Sequence, residues 1–182
     1  MSDVNRSSAS RSVRFLSDDD LLRQCRTDVT RGSGPGGQKR NKTSNAIRLT
    51  HLPTGLQAVA RESRSQAENK LFAMRRMRLK LATELREEVN LATFQPPDWF
   101  LEVRPDDRIE VSHRHPYYAA MGGLILDLLK ALHGVPADVA GNLGVSTTSV
   151  IKFLENEPAF WTAANRIRAE NALSSLTHRR KN

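Results

Sequence analysis

Ala46-Ile47-Arg48-Leu49-Thr50-His51-Leu52-Pro53-Thr54-Gly55-Leu56-Gln57-Ala58-Val59-Ala60 contains two short runs suited to a pleated sheet, separated by proline and glycine. Ala46 to Thr50 reads as one strand, Pro53-Thr54-Gly55 as the turn, and Leu56 to Ala60 as a second strand, which together make a hairpin. Working outward, the chain turns helical from Ser65. Leu71, Met74, Met77, Leu81 and Leu85 recur at spacings of three and four, with Arg75, Arg76, Arg78 and Lys80 mostly on the other face, the pattern of one long basic amphipathic helix. Before the hairpin, Arg31 to Gln38 holds four glycines and a proline with no apolar periodicity, so it must be an exposed loop. Ser17 followed by Asp18, Asp19 and Asp20 supplies an N-cap and first-turn acids for a short helix reaching about Gln24.

Phe94-Gln95-Pro96-Pro97-Asp98-Trp99 ends this pattern, because two adjacent prolines cannot sit inside a helix. Beyond it, Pro116 to Leu132 is expected to be a helix with Leu124, Leu128 and Leu132 on one stripe, ended by Gly134 and Pro136, with three further short helices after it. Asp138 to Val150 has the arrangement of a helix-turn-helix: Ala140 is small where two helices would cross, Gly144 suits the positive φ of the turn, and Val145 and Val150 fill the angle. The expected fold class is α+β, with a small domain carrying the hairpin and basic helix, then an all-α domain. The expected division is a basic leader over 1–16, the first domain over 17–93, a linker over 94–112, the helical domain over 113–176 and a short basic tail over 177–182.

The chain has 182 residues, 38% hydrophobic and 26% charged, a profile of folded rather than disordered protein. No apolar run approaches the roughly 20 residues of a membrane helix. A net charge of +8 and a pI of 10.2 select a polyanionic partner, with nucleic acid or the ribosome ahead of an anionic membrane surface. The single cysteine, Cys25, excludes an intramolecular disulfide and a cysteine-rich zinc site. The five histidines are not at metal-ligand spacings, so neither metal nor cofactor is expected. The first 16 residues, with Arg6, Arg11 and Arg14 among serines, lack the apolar core of a secretory signal. A disordered basic leader on a cytoplasmic protein, or a mitochondrial presequence, fits that composition.

The loop carries the chemistry. Gly36 and Gly37 lack Cβ and let the backbone approach a nucleotide where any side chain would collide, while Pro35 stiffens the approach. The backbone N–H of Gln38 can donate to an oxygen on which negative charge develops, and its neutral side chain can shape the space for a water. A plain flexible turn and a phosphate-cradling loop are the competing readings. The phosphate-cradling reading lacks its Lys-Ser/Thr pair and its strand-loop-helix order.

Four blocks in order, Arg31-Gly32-Ser33-Gly34-Pro35-Gly36-Gly37-Gln38, Asn41-Lys42-Thr43, Arg48-Leu49-Thr50-His51-Leu52-Pro53-Thr54-Gly55, and Arg64-Ser65-Gln66 with Asn69-Lys70, resemble the catalytic domain of class I peptide chain release factors. The resemblance covers about Leu21 to Leu85, roughly a third of the chain. It implies a compact α+β domain whose Gly36-Gly37-Gln38 loop enters the peptidyl transferase centre and cuts the ester of peptidyl-tRNA. It also implies Gln38 as a site of side-chain amide methylation, with a glutamine methyltransferase as a further partner. Lys39-Arg40 stands where release factors commonly have His-Val. About 20 residues before this domain leave no room for a codon-reading domain, which brings the chain nearer the short codon-independent rescue hydrolases.

Ribosomal and transfer RNA contacts are expected from Arg31, Lys39, Arg40, Lys42, Arg61, Arg64, Arg75, Arg76, Arg78 and Lys80, each of which could instead be a solvated surface charge. In the helical domain Ser146, Thr147, Thr148, Ser149 and Lys152 would lie near the start of the second helix, where they could meet DNA, ribosomal RNA or protein. The function expected is codon-independent peptidyl-tRNA hydrolysis on stalled ribosomes or large subunits. A factor for one special lesion or split subunit, a DNA-binding regulator with an inert loop, and an RNA-binding assembly factor are the alternatives.

Overall fold

The computed structural model describes residues 15–30 and 45–177, together with Val13. Two compact units divide between Leu81 and Ala82. The first holds α1 (Asp18–Arg23), β1 (Cys25–Thr30), β2 (Ala46–His51), β3 (Gln57–Ala60) and most of α2 (Gln66–Glu84). The second holds α3 (Asp98–Glu102), α4 (Tyr118–Ala131), α5 (Pro136–Leu143), α6 (Thr147–Glu155) and α7 (Pro158–Glu170). The chain is therefore α+β, a three-stranded sheet with helices and then an all-helical unit.

In the first unit Ser17 caps α1 by accepting from the Asp20 N–H at 3.1 Å, satisfying one of the amides a helix start leaves without an intrahelical partner. The sheet runs β1-β2-β3, antiparallel throughout. Its register sets Ile47 between Val29 and Ala60, and Leu49 between Thr27 and Ala58. Side chains alternate faces along a strand, so Ile47, Leu49, Ala58 and Ala60 are buried on one face while Arg48, Gln57 and Val59 are exposed on the other. Strand β1 is an addition to the elements the sequence pattern predicts. Gly55 turns the hairpin at φ +72°, donating its N–H to the His51 carbonyl at 2.7 Å, a backbone state that costs a side-chain-bearing residue.

Helix α2 buries Asn69, Ala73, Met74, Met77 and Leu81. Leu71, expected on that stripe, is 56% exposed, because at about 100° per residue it lies some 200° round from Asn69. Leu85 falls just past the helix end.

The second unit is built around α4, whose Met121, Ile125, Leu126, Leu128 and Leu129 are all fully buried. In place of the expected stripe, this helix is enclosed on nearly every side, as a central helix hydrophobic all round must be. Gly122 permits the closest approach: a Cβ there would lie 2.0 Å from Cζ of Phe160. Phe160 stacks on Phe153, with ring centroids 5.7 Å apart, and both rings face Tyr118. Asp127, buried on α4, accepts from Arg86 at 3.0 Å and from the Glu87 N–H at 3.2 Å, and Arg86 also donates to the Ala82 carbonyl. Arg166 on α7 reaches the Thr83 carbonyl at 3.2 Å. These bonds explain why the last turn of α2 belongs with the helical unit, ahead of the boundary that the prolines suggest.

The segment expected as a linker over 94–112 contains α3, and Phe100 is fully buried. Helices α5 and α6 are joined by the short turn Gly144-Val145-Ser146. Gly144 sits at φ +63° and the Val145 N–H returns to the Ala140 carbonyl at 3.0 Å, the six-to-one bond of a left-handed helix stop.

Candidate catalytic loop and nucleic-acid interface

Gly36, Gly37 and Gln38, with Arg31, Lys39, Arg40 and Lys42, lie outside the described residues. The structure describes the frame that carries them. Thr30, the last residue of β1, pairs with Ala46, the first of β2, so the segment leaves from and returns to one antiparallel strand pair, whose partners stand about 4.5–5.5 Å apart.

Two buried polar side chains tie down this frame, and neither is among the functional residues expected from the sequence. His51, fully buried, places Nδ1 2.8 Å from the Thr54 hydroxyl and Nε2 3.1 Å from Oε1 of Gln24. Gln24 Oε1 can only accept, so Nε2 carries the proton. Nδ1 then accepts from the Thr54 hydroxyl, which itself accepts from the Leu56 N–H at 3.3 Å. Burial pushes the His51 imidazole below its ordinary value of 6.5, which suits this neutral tautomer. With both nitrogens bonded, His51 joins the residue preceding β1 to the β2–β3 turn and is not available as a general base.

Asn69 is the second. Its Nδ2 donates to the Asn45 carbonyl at 2.7 Å and to the Ser63 carbonyl at 2.8 Å, and its Oδ1 accepts from the Ser63 N–H at 2.9 Å. Asn45 donates in turn to the Ser63 carbonyl at 3.2 Å. Ser65 accepts from the Glu68 N–H at 3.4 Å, and Ser63 donates to the Glu68 carboxylate, so the start of α2 is closed by a serine-to-glutamate cap. The Ser65-to-Glu68 spacing is the signal available in the sequence.

The expected RNA-contacting cations do not share one situation. Arg76 bonds the Val59 carbonyl and Glu62. Arg78 bonds Asp18 at 2.6 Å and the Leu16 carbonyl at 2.7 Å. Both are thus engaged in holding α2 to its own unit. Arg61, Arg64, Arg75 and Lys80 are all exposed, the first two before α2 and the last two on it, while Arg48 and Lys70, outside the expected set, are exposed as well. Arg75 and Lys80 lie five residues apart on α2, about 140° round the helix, so they do not face one phosphate strand together.

In the helical unit the start of α6 is occupied by the chain itself. Ser146 caps the helix by accepting from the Ser149 N–H at 3.3 Å, and its own N–H donates to the Asp107 carbonyl at 2.9 Å. Ser149 accepts from the Ile109 N–H at 2.7 Å. Arg104 donates to the Leu143 and Gly144 carbonyls at 2.9 and 2.5 Å. Thr147 is half-buried, while Thr148 and Lys152 are exposed one turn apart. Among the described residues no group of three His, Cys, Asp or Glu is placed to hold a metal ion. The two units differ in charge: residues 15–81 carry 14 Lys and Arg against 6 Asp and Glu, and residues 82–177 carry 8 against 13.

The RF-1 domain family model matches residues 21–95. Over 65 residues the chain is 46% identical to peptide chain release factor 2 of Nocardia farcinica strain IFM 10152, and 48% identical to that of Kineococcus radiotolerans. Each alignment covers 36% of this chain and 18% of the relative. Peptide chain release factor 2 of Rhodococcus erythropolis is 49% identical over 63 residues, covering 35% and 17%. The chain thus spans less than a fifth of the length of these relatives. Residues 21–95, with the Gly36-Gly37-Gln38 segment carried between β1 and β2, are an RF-1 domain.

Proposed function

We propose that this chain hydrolyses the ester linking a nascent peptide to its tRNA on the ribosome, using the Gly36-Gly37-Gln38 segment. The observation carrying this reading is the match of an RF-1 domain across a segment that holds those residues and returns to the sheet through a paired strand. Water attacks the ester carbonyl, the Gln38 backbone N–H stabilises the oxyanion, and the 3′-terminal ribose oxygen leaves. Two glycines let the backbone reach the reacting carbon inside an RNA cavity. Gln38 is proposed as the site of amide methylation by a glutamine methyltransferase. The setting is the bacterial-type cytoplasmic translation machinery, with large-subunit RNA and peptidyl-tRNA as partners.

Release is proposed to be codon-independent, acting on stalled ribosomes or large subunits, with the helical unit choosing among them. The match to the release-factor family runs to residue 95, and the helical unit from Ala82 onward has the opposite charge balance. A DNA-reading role for that unit is disfavoured by its excess of acids and by the occupied start of α6. The test is release of labelled peptide from ribosomes holding no codon, a sense codon or a stop codon in the aminoacyl site. Release without a codon as fast as with a stop codon is expected. A strict stop-codon requirement would remove codon independence, and no release from any complex would remove the reaction.

A further inference from the structure

We infer that Asn69 is a positioning residue for peptide release, fixing the point at which the chain returns from the Gly36-Gly37-Gln38 segment into β2. The inference rests on the functional reading above. Asn45 is the described residue immediately before β2, and its carbonyl is held by Asn69 at 2.7 Å. The same amide holds both the N–H and the carbonyl of Ser63, and its own helix start is locked by the Ser65–Glu68 cap. A single planar group therefore connects the return of the loop to the longest helix of the unit.

The residue type is dictated by that task. Two donors and one acceptor are all used, at 2.7 to 2.9 Å, in a side chain that is fully buried. Aspartate offers no donor and would set a carboxylate against two carbonyls; glutamine is one methylene too long; alanine takes the Asn69 partner from the Asn45 carbonyl and the Ser63 N–H and leaves the Ser63 carbonyl with its bond from Asn45 alone. The Thr30–Ala46 pair limits the separation of the two chain ends, but strand ends fray, and Asn69 secures the return end from a second direction. Where catalysis comes from preorganised backbone, a displacement of about 1 Å costs on the order of 100-fold in rate.

A purely structural role predicts that Asn69 acts only through stability, so the experiment separates the two. Single-turnover peptide release by full-length protein is measured across protein concentrations for wild type, Asn69→Ala, and Met77→Ala, a core variant of the same unit that weakens the fold without touching Asn45. Amide exchange of residues 45–47 is followed in parallel. The expectation for Asn69→Ala is a saturating rate lowered at least about 10-fold, a half-saturating concentration within about 2-fold of wild type, and faster exchange at 45–47. Met77→Ala should keep its saturating rate within about 2-fold at a temperature where it is folded. An unchanged saturating rate in Asn69→Ala, or an equal loss in Met77→Ala, overturns the inference. Should Asn69→Ala not fold, Asn69→Gln, which keeps both donors and the acceptor but adds a methylene, carries the test with an expected loss of about 3-fold, and no loss overturns the inference. If wild type releases nothing, the functional reading falls and the positioning role falls with it, whereas an active wild type with unaffected variants refutes Asn69 alone.

Discussion

The sheet-bearing unit and the helical unit bury different things. The first encloses His51 and Asn69, polar side chains whose bonds go to the backbone and side chains around the β1–β2 and β2–β3 connections. The second encloses an aromatic cluster, a nearly all-apolar central helix and one ion pair, Arg86 with Asp127. Buried polar groups cost free energy unless fully bonded, so a unit that keeps them gives up part of its apolar core for directional control of its chain. The first unit is organised to fix its chain at the ends of its strands. The second is organised for packing, and it even closes the start of α6 with its own residues 104–109.

The packing half of that comparison is broken most directly at Gly122. Placing a methyl 2.0 Å from Phe160 forces α4 and α7 apart, and Gly122→Ala is expected to cost about 1–3 kcal/mol or more. Both tryptophans, Trp99 and Trp161, lie in the helical unit, so their fluorescence during urea unfolding reports that loss; a midpoint equal to wild type would contradict the tight α4–α7 contact.

The polar half is sharpened by pH. Burial holds His51 below its ordinary 6.5, so between that lowered value and 6.5 the unfolded chain binds more protons. The contribution of His51 to the stability of the sheet-bearing unit is therefore full above 6.5 and falls as pH drops through the window below it. Amide exchange in β2, followed from about pH 7.5 downward and corrected for intrinsic rates, should show this, and His51→Gln should flatten the dependence. A wild-type profile as flat as the variant's would mean the imidazole is not held neutral.

The smallest effect belongs to Gly141, exposed within α5 with nothing near the position a Cβ would take. Gly141→Ala should stabilise the helical unit by about 0.5–1 kcal/mol, read by the same fluorescence. A loss there would reveal a contact that this packing does not contain.

Legibility in the sequence divides along the same line. The hairpin and α2 announce themselves through turn residues and apolar spacing, and Gly144 through the turn it terminates. Strand β1 does not, because Cys25, Thr27 and Val29 are weak apolar markers on an edge strand that alternates with Arg26 and Asp28. Without β1, the paired base of the Gly36-Gly37-Gln38 segment is invisible. Periodicity also cannot distinguish an arginine aimed at RNA from one that finds Asp18 sixty residues away, as Arg78 does. Nor does it mark Asn69 as buried, since its partners arrive from Asn45 and Ser63. Phe100 escapes notice because a five-residue helix after two prolines carries too few residues to show a period.

The ester hydrolysis proposed for Gly36-Gly37-Gln38 is tested most directly by Gly37→Ala. Release of labelled peptide is measured from ribosomes stalled with an empty aminoacyl site, alongside binding to the same ribosomes. The added methyl should block the backbone's approach to the ester and lower release by at least about 100-fold, with binding retained. Release at the wild-type rate would contradict it.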